Sequence, residues 1–206
     1  METSEATAGT SRGGRGARER ILRAAVELFA SEGIHATGVA KLADVAHVST
    51  RTLYQHFPSK EALVSAYLQR IESDGTILGE TVLERRDLAA RERLLRLFAE
   101  RPAGSLSAKV VRGCPMHNAA VESAGTLPEA SAAVEQHKRE FAARLVETAA
   151  EAGASRPEAL GRQLAVLFEG ARALATSLND MRPLEDAEEL AKALIEGATE
   201  PAPPRQ

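Results

Sequence analysis

The chain has 206 residues, 44% of them apolar and 27% charged, with a net charge of −3. That balance suits a soluble globular protein with one or two packed domains, and no apolar run approaches the ~18 residues of a membrane span. The 3% aromatic content, the lack of tryptophan and the single Cys114 exclude an aromatic-rich sheet and an internal disulfide framework; they favour alanine- and leucine-rich helices in a reducing cytoplasm.

Residues 1–16 are rich in Gly, Ser, Thr and Arg and read as a disordered basic arm, with no apolar stretch to serve as a secretory signal. A first helix is expected from Ala17 to Glu32, since Ile21, Leu22, Ala25, Val26, Leu28 and Phe29 recur at helical spacing and Gly33 sits where a C′ glycine belongs. Short helices follow near 39–45 and 49–56. A long helix then runs over about 59–78, with Ser59 as its cap and Leu63, Tyr67, Leu68 and Ile71 on one side. Further helices are read at 88–100, 115–123, 128–151, 157–178 and 184–197, with a Pro/Gly break at 102–104 and a loose tail, PAPPRQ. No strand candidate and no repeat is present. The predicted class is all-α, with about nine helices in a helix-turn-helix domain (17–62), a larger body (63–200) and a tail (201–206).

Charge is unevenly distributed. Residues 12–60 hold eight Lys/Arg against four acids, whereas residues 61–206 hold eighteen against twenty-three. A basic head on an acidic body fits a protein that meets phosphate at one end only.

The segment GVAKLADVAHVSTRTLYQHFPSKEAL (38–63) carries the most information. Leu42, Ala43, Val48, Leu53 and Phe57 are spaced so that two short helices bury one apolar face against the first helix. The three-residue linker Ala46-His47-Val48 sets such helices at a steep angle, and Ser49 can cap the second. Thr50, Arg51, Thr52, Tyr54, Gln55 and His56 are left as donors, acceptors and one basic fork on a helix of two turns, which fits a major groove. Taken alone, this could equally be a solvated polar face.

In these residues the sequence resembles the tetracycline-repressor (TetR) family, through RERILRAAVELFASEG and LADVAHVSTRTLYQHFPSKEALV, with LYQHFPSK the most diagnostic part. The resemblance implies base contacts from Thr50, Arg51 and Gln55, and phosphate contacts from Thr37, Lys41, Thr52, Tyr54, His56 and Lys60. Two departures stand out. Histidine (His47) replaces the usual turn glycine, at a small cost, since it tolerates positive φ better than most residues. Gly38 and Lys41 replace the usual capping pair, and Lys41 opposes the helix dipole unless a DNA phosphate occupies that terminus.

In the body, RGCPMHNAAVE (112–122) and LAVLFEGARALA (164–175) resemble the C-terminal domain of one TetR subgroup, which implies a homodimer and a pocket for a small-molecule effector. Leu160, Leu164, Leu167, Ala171, Leu174 and Leu178 form a seam opposite Ala165, Phe168 and Ala175, so that helix is expected between its own core and a partner. Leu190 and Leu194 on the last helix complete the expected interface. The pocket candidates are Phe98, Met116, His117, Asn118, His137, Phe141, Phe168 and Arg172, with a mostly apolar ligand. For His137 and Asn118 the competing reading is structural. Cys114 reads as a buried filler.

The rival classes are weaker. No nucleophilic triad or phosphate-cradling loop is present. His137 with Glu140 lacks a third metal ligand, so no catalysis, cofactor or metal is expected. The other alternative is a helical interaction protein whose helix-turn-helix no longer binds DNA, against which the Arg51, Tyr54, His56 and Lys60 set argues. The function expected is a cytoplasmic DNA-binding regulator and repressor, released from a near-palindromic operator by its effector. The helix starting at Ser59 is the natural lever between head and body.

Overall fold

The computed structural model describes residues 12–74, 79–100, 113–124 and 126–199, without the side chains of 12–15 and 123. Within these residues the chain is all-helical: nine α-helices and one 3-10 turn, and no strand. Residues 1–11 of the expected arm at 1–16, the break at 102–104 and the tail at 201–206 lie outside the described residues. Contacts divide the chain into two units, one ending at Arg70 and the other starting at Ile71.

The first unit contains α1 (Arg12–Glu32), α2 (Val39–Val45), α3 (Thr50–His56) and most of α4 (Lys60–Ser73). α1 starts at Arg12, inside the segment expected as a loose arm. Its glycines at 13, 14 and 16 each argue against helix by about 1 kcal/mol, and the reading from composition followed them. Ile21, Ala25, Leu28 and Phe29 of α1 are buried together with Leu42, Ala43, Leu53 and Phe57, as their spacing predicts. Gly33, at φ 98°, ends α1 and its N–H returns to Phe29 O. Ser59 caps α4 through Ala62 N–H at 3.0 Å. Leu63, Val64, Tyr67 and Leu68 of α4 are buried, Tyr67 meets Phe29 edge-on at 5.3 Å, and Arg70 pairs with Glu19 of α1 at 3.0 Å. These contacts carry the unit boundary past the expected 62/63 to 70/71.

The second unit holds the last turn of α4, a 3-10 turn (Glu80–Glu84), α5 (Ala90–Ala99), α6 (Pro115–Ser123), α7 (Pro128–Glu151), α8 (Pro157–Leu178) and α9 (Arg182–Thr199). The 3-10 turn has no counterpart in the sequence reading. Prolines start α6, α7 and α8, where a missing N–H costs nothing. α7 and α8 run antiparallel: Val146 faces Gly161, and Lys138 pairs with Glu169 at 2.5 Å. At Gly161 the helices approach so closely that a Cβ would lie 2.5 Å from Val146 Cγ2 and 2.8 Å from its backbone. The core joins Leu94, Leu97 and Phe98 of α5, Phe141 and Leu145 of α7, Leu164 and Phe168 of α8, and Ala191 and Ile195 of α9.

Candidate nucleic-acid interface

The turn between α2 and α3 explains how α3 is presented. His47 N–H donates to Asp44 O at 3.0 Å and Val48 N–H to Ala43 O at 2.9 Å, the two bonds of a Schellman ending, with His47 in the left-handed region at φ 51°. Histidine therefore does occupy the positive-φ position. Ser49 then caps α3, its hydroxyl accepting from Thr52 N–H at 3.0 Å. Leu53 is fully buried and Phe57 is 3% exposed, so α3 is fixed by one apolar edge. Its remaining faces are open.

Thr50, Arg51, Tyr54 and Gln55 are exposed, and Thr52, His56 and Lys60 are half-buried. Thr52 Oγ1 also lies 2.9 Å from Ser49 Oγ. The base-reading set Thr50, Arg51 and Gln55 is thus brought together on one short helix, with Tyr54 and His56 on the same element. Two members of the expected phosphate set stand differently. Thr37 is completely buried and its hydroxyl donates to Gly33 O at 2.7 Å, so it ties down the turn after α1 and presents nothing to a phosphate. The ammonium of Lys41 lies 2.6 Å from Glu32, which answers its unfavourable place in the first turn of α2. Gly38 precedes that helix with no side-chain cap. Arg18 and Arg20, which lie in the first-helix motif but in neither expected contact set, also touch this region. Arg20 Nε donates to Ala46 O at 3.0 Å, and the Arg18 guanidinium lies 5.0 Å from the Phe57 ring centre.

The effector candidates fall into groups. Phe98 and Phe141 both pack on Phe168, at 5.7 and 5.1 Å between ring centres, and the Arg172 guanidinium lies over Phe168 at 4.1 Å. Met116 is buried on α6, with His117 and Asn118 half-buried beside it. His137 has a different environment. Its Nδ1 lies 3.0 Å from Glu72 and its Nε2 lies 3.2 Å from Glu80, whose carboxylate meets Arg144 at 3.2 Å. Arg144 continues to Glu84 at 3.4 Å. A neutral imidazole has one N–H, so satisfying both carboxylates requires the imidazolium. Burial disfavours that charge, but hydrogen bonds to Glu80 and Glu72 outweigh it, and the His137 pKa is raised. Its ring is committed within the protein. Cys114 is buried, with the Lys138 ammonium 3.9 Å from its sulfur. A groove of about 280 Å3 between the start of α8 and the end of α9, lined by Arg156, Leu160, Gln163 and Leu194 among others, holds none of the effector candidates.

The expected dimer seam is corrected by burial. Leu160, Leu164 and Ala171 are 2%, 0% and 6% exposed and belong to the unit's own core, on the same face as Phe168 and Ala175. A repeat of fours and threes was read as one straight seam. On the helix the inward stripe instead runs 160, 164, 168, 171, 175. Of the expected set, Leu174 and Leu190 are exposed, while Leu167 and Leu194 are half-buried. Leu178 of the expected seam is 63% exposed as well, and Val166, which that seam did not include, is 75% exposed.

Residues 21–67 match the model of the bacterial regulatory proteins of the tetR family, and residues 90–194 match that of the tetracyclin repressor-like C-terminal domain. A TetR-family transcriptional regulator from Streptomyces coelicolor has a similar structure, with a TM-score of 0.79 and 28% identity over 90% of this chain and 97% of that one. A regulator from Streptomyces avermitilis gives 0.71 at 28% identity, over 88% and 97%. Among curated proteins, the activator FasR of Mycolicibacterium smegmatis is 51% identical over 53 residues, 26% of this chain and 24% of that protein. The repressor KstR2 of Rhodococcus jostii is 41% identical over 59 residues, 29% of each. The matched stretch spans about a quarter to a third of these curated relatives.

Proposed function

Because the chain belongs to the TetR family of transcriptional regulators, we propose that it acts as a homodimeric repressor that leaves a near-palindromic operator when its body binds a small, mostly apolar effector. The observation that carries the DNA half of this reading is α3: Arg51, Tyr54 and Gln55 are exposed on a capped two-turn helix held by one buried edge. Arg51 reads a guanine, aided by Thr50 and Gln55, while Thr52, Tyr54, His56 and Lys60 hold phosphate. Lys41, paired with Glu32 at the start of α2, is the weakest of the phosphate candidates.

The dimer half rests on Val166, Leu174, Leu178 and Leu190, apolar side chains more than half exposed on α8 and α9. Two copies present two reading helices to half-sites about one helical turn apart. The effector half rests on the aromatic cluster Phe98, Phe141 and Phe168 with Arg172 stacked on it, and on a second candidate group, Met116, His117 and Asn118 of α6. An effector releases DNA only by binding the DNA-incompetent arrangement more tightly, and each ~1.4 kcal/mol of that preference weakens the operator tenfold. α4, whose residues belong to both units, is the element through which that preference reaches the head.

Selection of bound duplexes from a random library tests the reading. The expected result is an inverted repeat, with Arg51→Ala losing preference at one symmetric base pair and about 1–3 kcal/mol of affinity. Lys60→Ala should weaken all sequences alike and lower the salt slope by about one. Enrichment of no sequence would sink the proposal.

A further inference from the structure

Two arginines of α1 reach the turn that leads into α3 and the residue that ends it. Arg20 Nε donates to the carbonyl of Ala46 at 3.0 Å. Ala46 is the C-cap of α2, 2% exposed, and directly precedes His47 at the positive-φ step of the turn. At the other end, Arg18 lies over the ring of Phe57, the C-cap of α3, at 5.0 Å. Between these points α3 is held by Leu53 and Phe57 packing on α1 and α2, a contact without direction that permits small rolls of the helix. A charged N–H to a carbonyl is directional, and here it also meets the negative end of α2.

We infer that Arg18 and Arg20 are positioning residues for base reading: they fix the turn into α3 and the exit from it, and so set the roll that aims Arg51 and Gln55, without touching DNA themselves. This rests on the reading of α3 as the DNA-reading helix. It also accounts for two basic residues at the start of the head that the base and phosphate sets leave unused.

The test uses the full chain, the duplex selected by the wild type, the set of its single base-pair variants and a scrambled duplex. Arg20→Met should lower affinity for the selected duplex about tenfold and compress the differences among the single-pair variants. Affinity for scrambled DNA and the salt slope should stay unchanged, because no phosphate contact is lost. Arg20→Lys, whose ammonium can still donate to the Ala46 carbonyl, should restore most of the discrimination. Arg18→Met should give the same pattern at about two- to fivefold. A salt slope reduced by about one in Arg20→Met would make that arginine a phosphate contact and overturn the inference. Equal losses on selected and scrambled DNA would overturn it, as would a lowered melting temperature with intact discrimination. Should Arg20→Met not fold, Arg20→Lys and Arg18→Met decide the matter by the same readouts. A wild type that selects no sequence brings down the reading of α3 as well, a failure distinct from one in which wild-type selection succeeds and the arginine variants match it.

Discussion

In the head, the polar side chains at the centre of the functional reading (Arg51, Tyr54 and Gln55) point outward from a helix whose apolar edge alone is buried. In the body the buried polar residues face one another. Arg93 is 3% exposed, donates to Leu83 O at 2.7 Å and pairs with Glu151, which also takes Arg86 at 2.6 Å. Those two arginines hold the Glu151 carboxyl below its ordinary range. His137, Arg144 and Lys138 are likewise tied to carboxylates. Along the body's last two helices Val166, Leu174, Leu178 and Leu190 stand more than half exposed among the polar residues of the surface. The difference teaches where to look for function: in the head among polar groups turned outward, in the body among apolar surfaces and not among buried charges.

The largest effect expected from this comparison is on assembly. Leu174→Glu, with Val166→Glu as a second site, places a charge on the outer face of α8. Light scattering should report monomers, and operator affinity should fall on the order of 100-fold as the second half-site is lost. A variant that stays dimeric removes α8 from the interface. Leu160→Glu, by contrast, should unfold the body, since Leu160 lies in its core.

The buried histidine gives the next effect. His137→Leu strands Glu80, 3% exposed, with Arg144 as its remaining partner, and should cost about 3 kcal/mol in denaturant titrations. The sign of the pH dependence follows from the raised folded pKa of His137. Its contribution is full below about pH 6.5, the ordinary unfolded value, and is lost as pH climbs through the higher folded one. Stability of the wild-type body should therefore decline over that window, and His137→Leu should flatten the decline. An unchanged slope would mean that His137 does not hold the proton that its two carboxylates require.

Much of the fold was legible because it depends on local signals. The prolines opening α6, α7 and α8, Gly33, Gly153, Ser49 and Ser59 all act within a few residues of themselves, and each stands where its chemistry predicts. The exposed face of α3 was legible for the same reason. The body's inward and outward faces were not, because a leucine at 160 and one at 174 look alike until their neighbours are known. Nor were the contacts of buried Glu80 with His137 or the Arg20 bond to Ala46, which join residues far apart in sequence. Gly161 is a sharp case. Helix propensity alone makes Gly161→Ala a gain of about 1 kcal/mol. The added methyl would lie 2.5 Å from Val146 Cγ2 and 2.8 Å from its backbone, so overpacking wins and a net loss of about 1–3 kcal/mol is expected in thermal melts. A stabilised variant would show that α7 and α8 can separate cheaply.

The smallest effect isolates one atom group in two like turns. α2 ends with His47 at φ 51° and α7 ends with Gly153 at φ 78°, and both turns carry the same pair of backbone hydrogen bonds. A side chain in the left-handed region costs roughly 1 kcal/mol, less for histidine than for most residues, while glycine gives back part of that difference through its freer unfolded chain. His47→Gly should therefore stabilise the head by about 0.5 kcal/mol, and Gly153→His should destabilise the body by a similar amount, since a Cβ at Gly153 meets open space and only the backbone term remains. Paired thermal melts of the two variants should shift in opposite directions. Operator affinity separates this from a functional role at the turn. If His47 serves only the backbone, His47→Gly binds as the wild type does. If affinity drops while the melting temperature rises, the imidazole is there for DNA, and the strain at φ 51° is kept because the side chain is used.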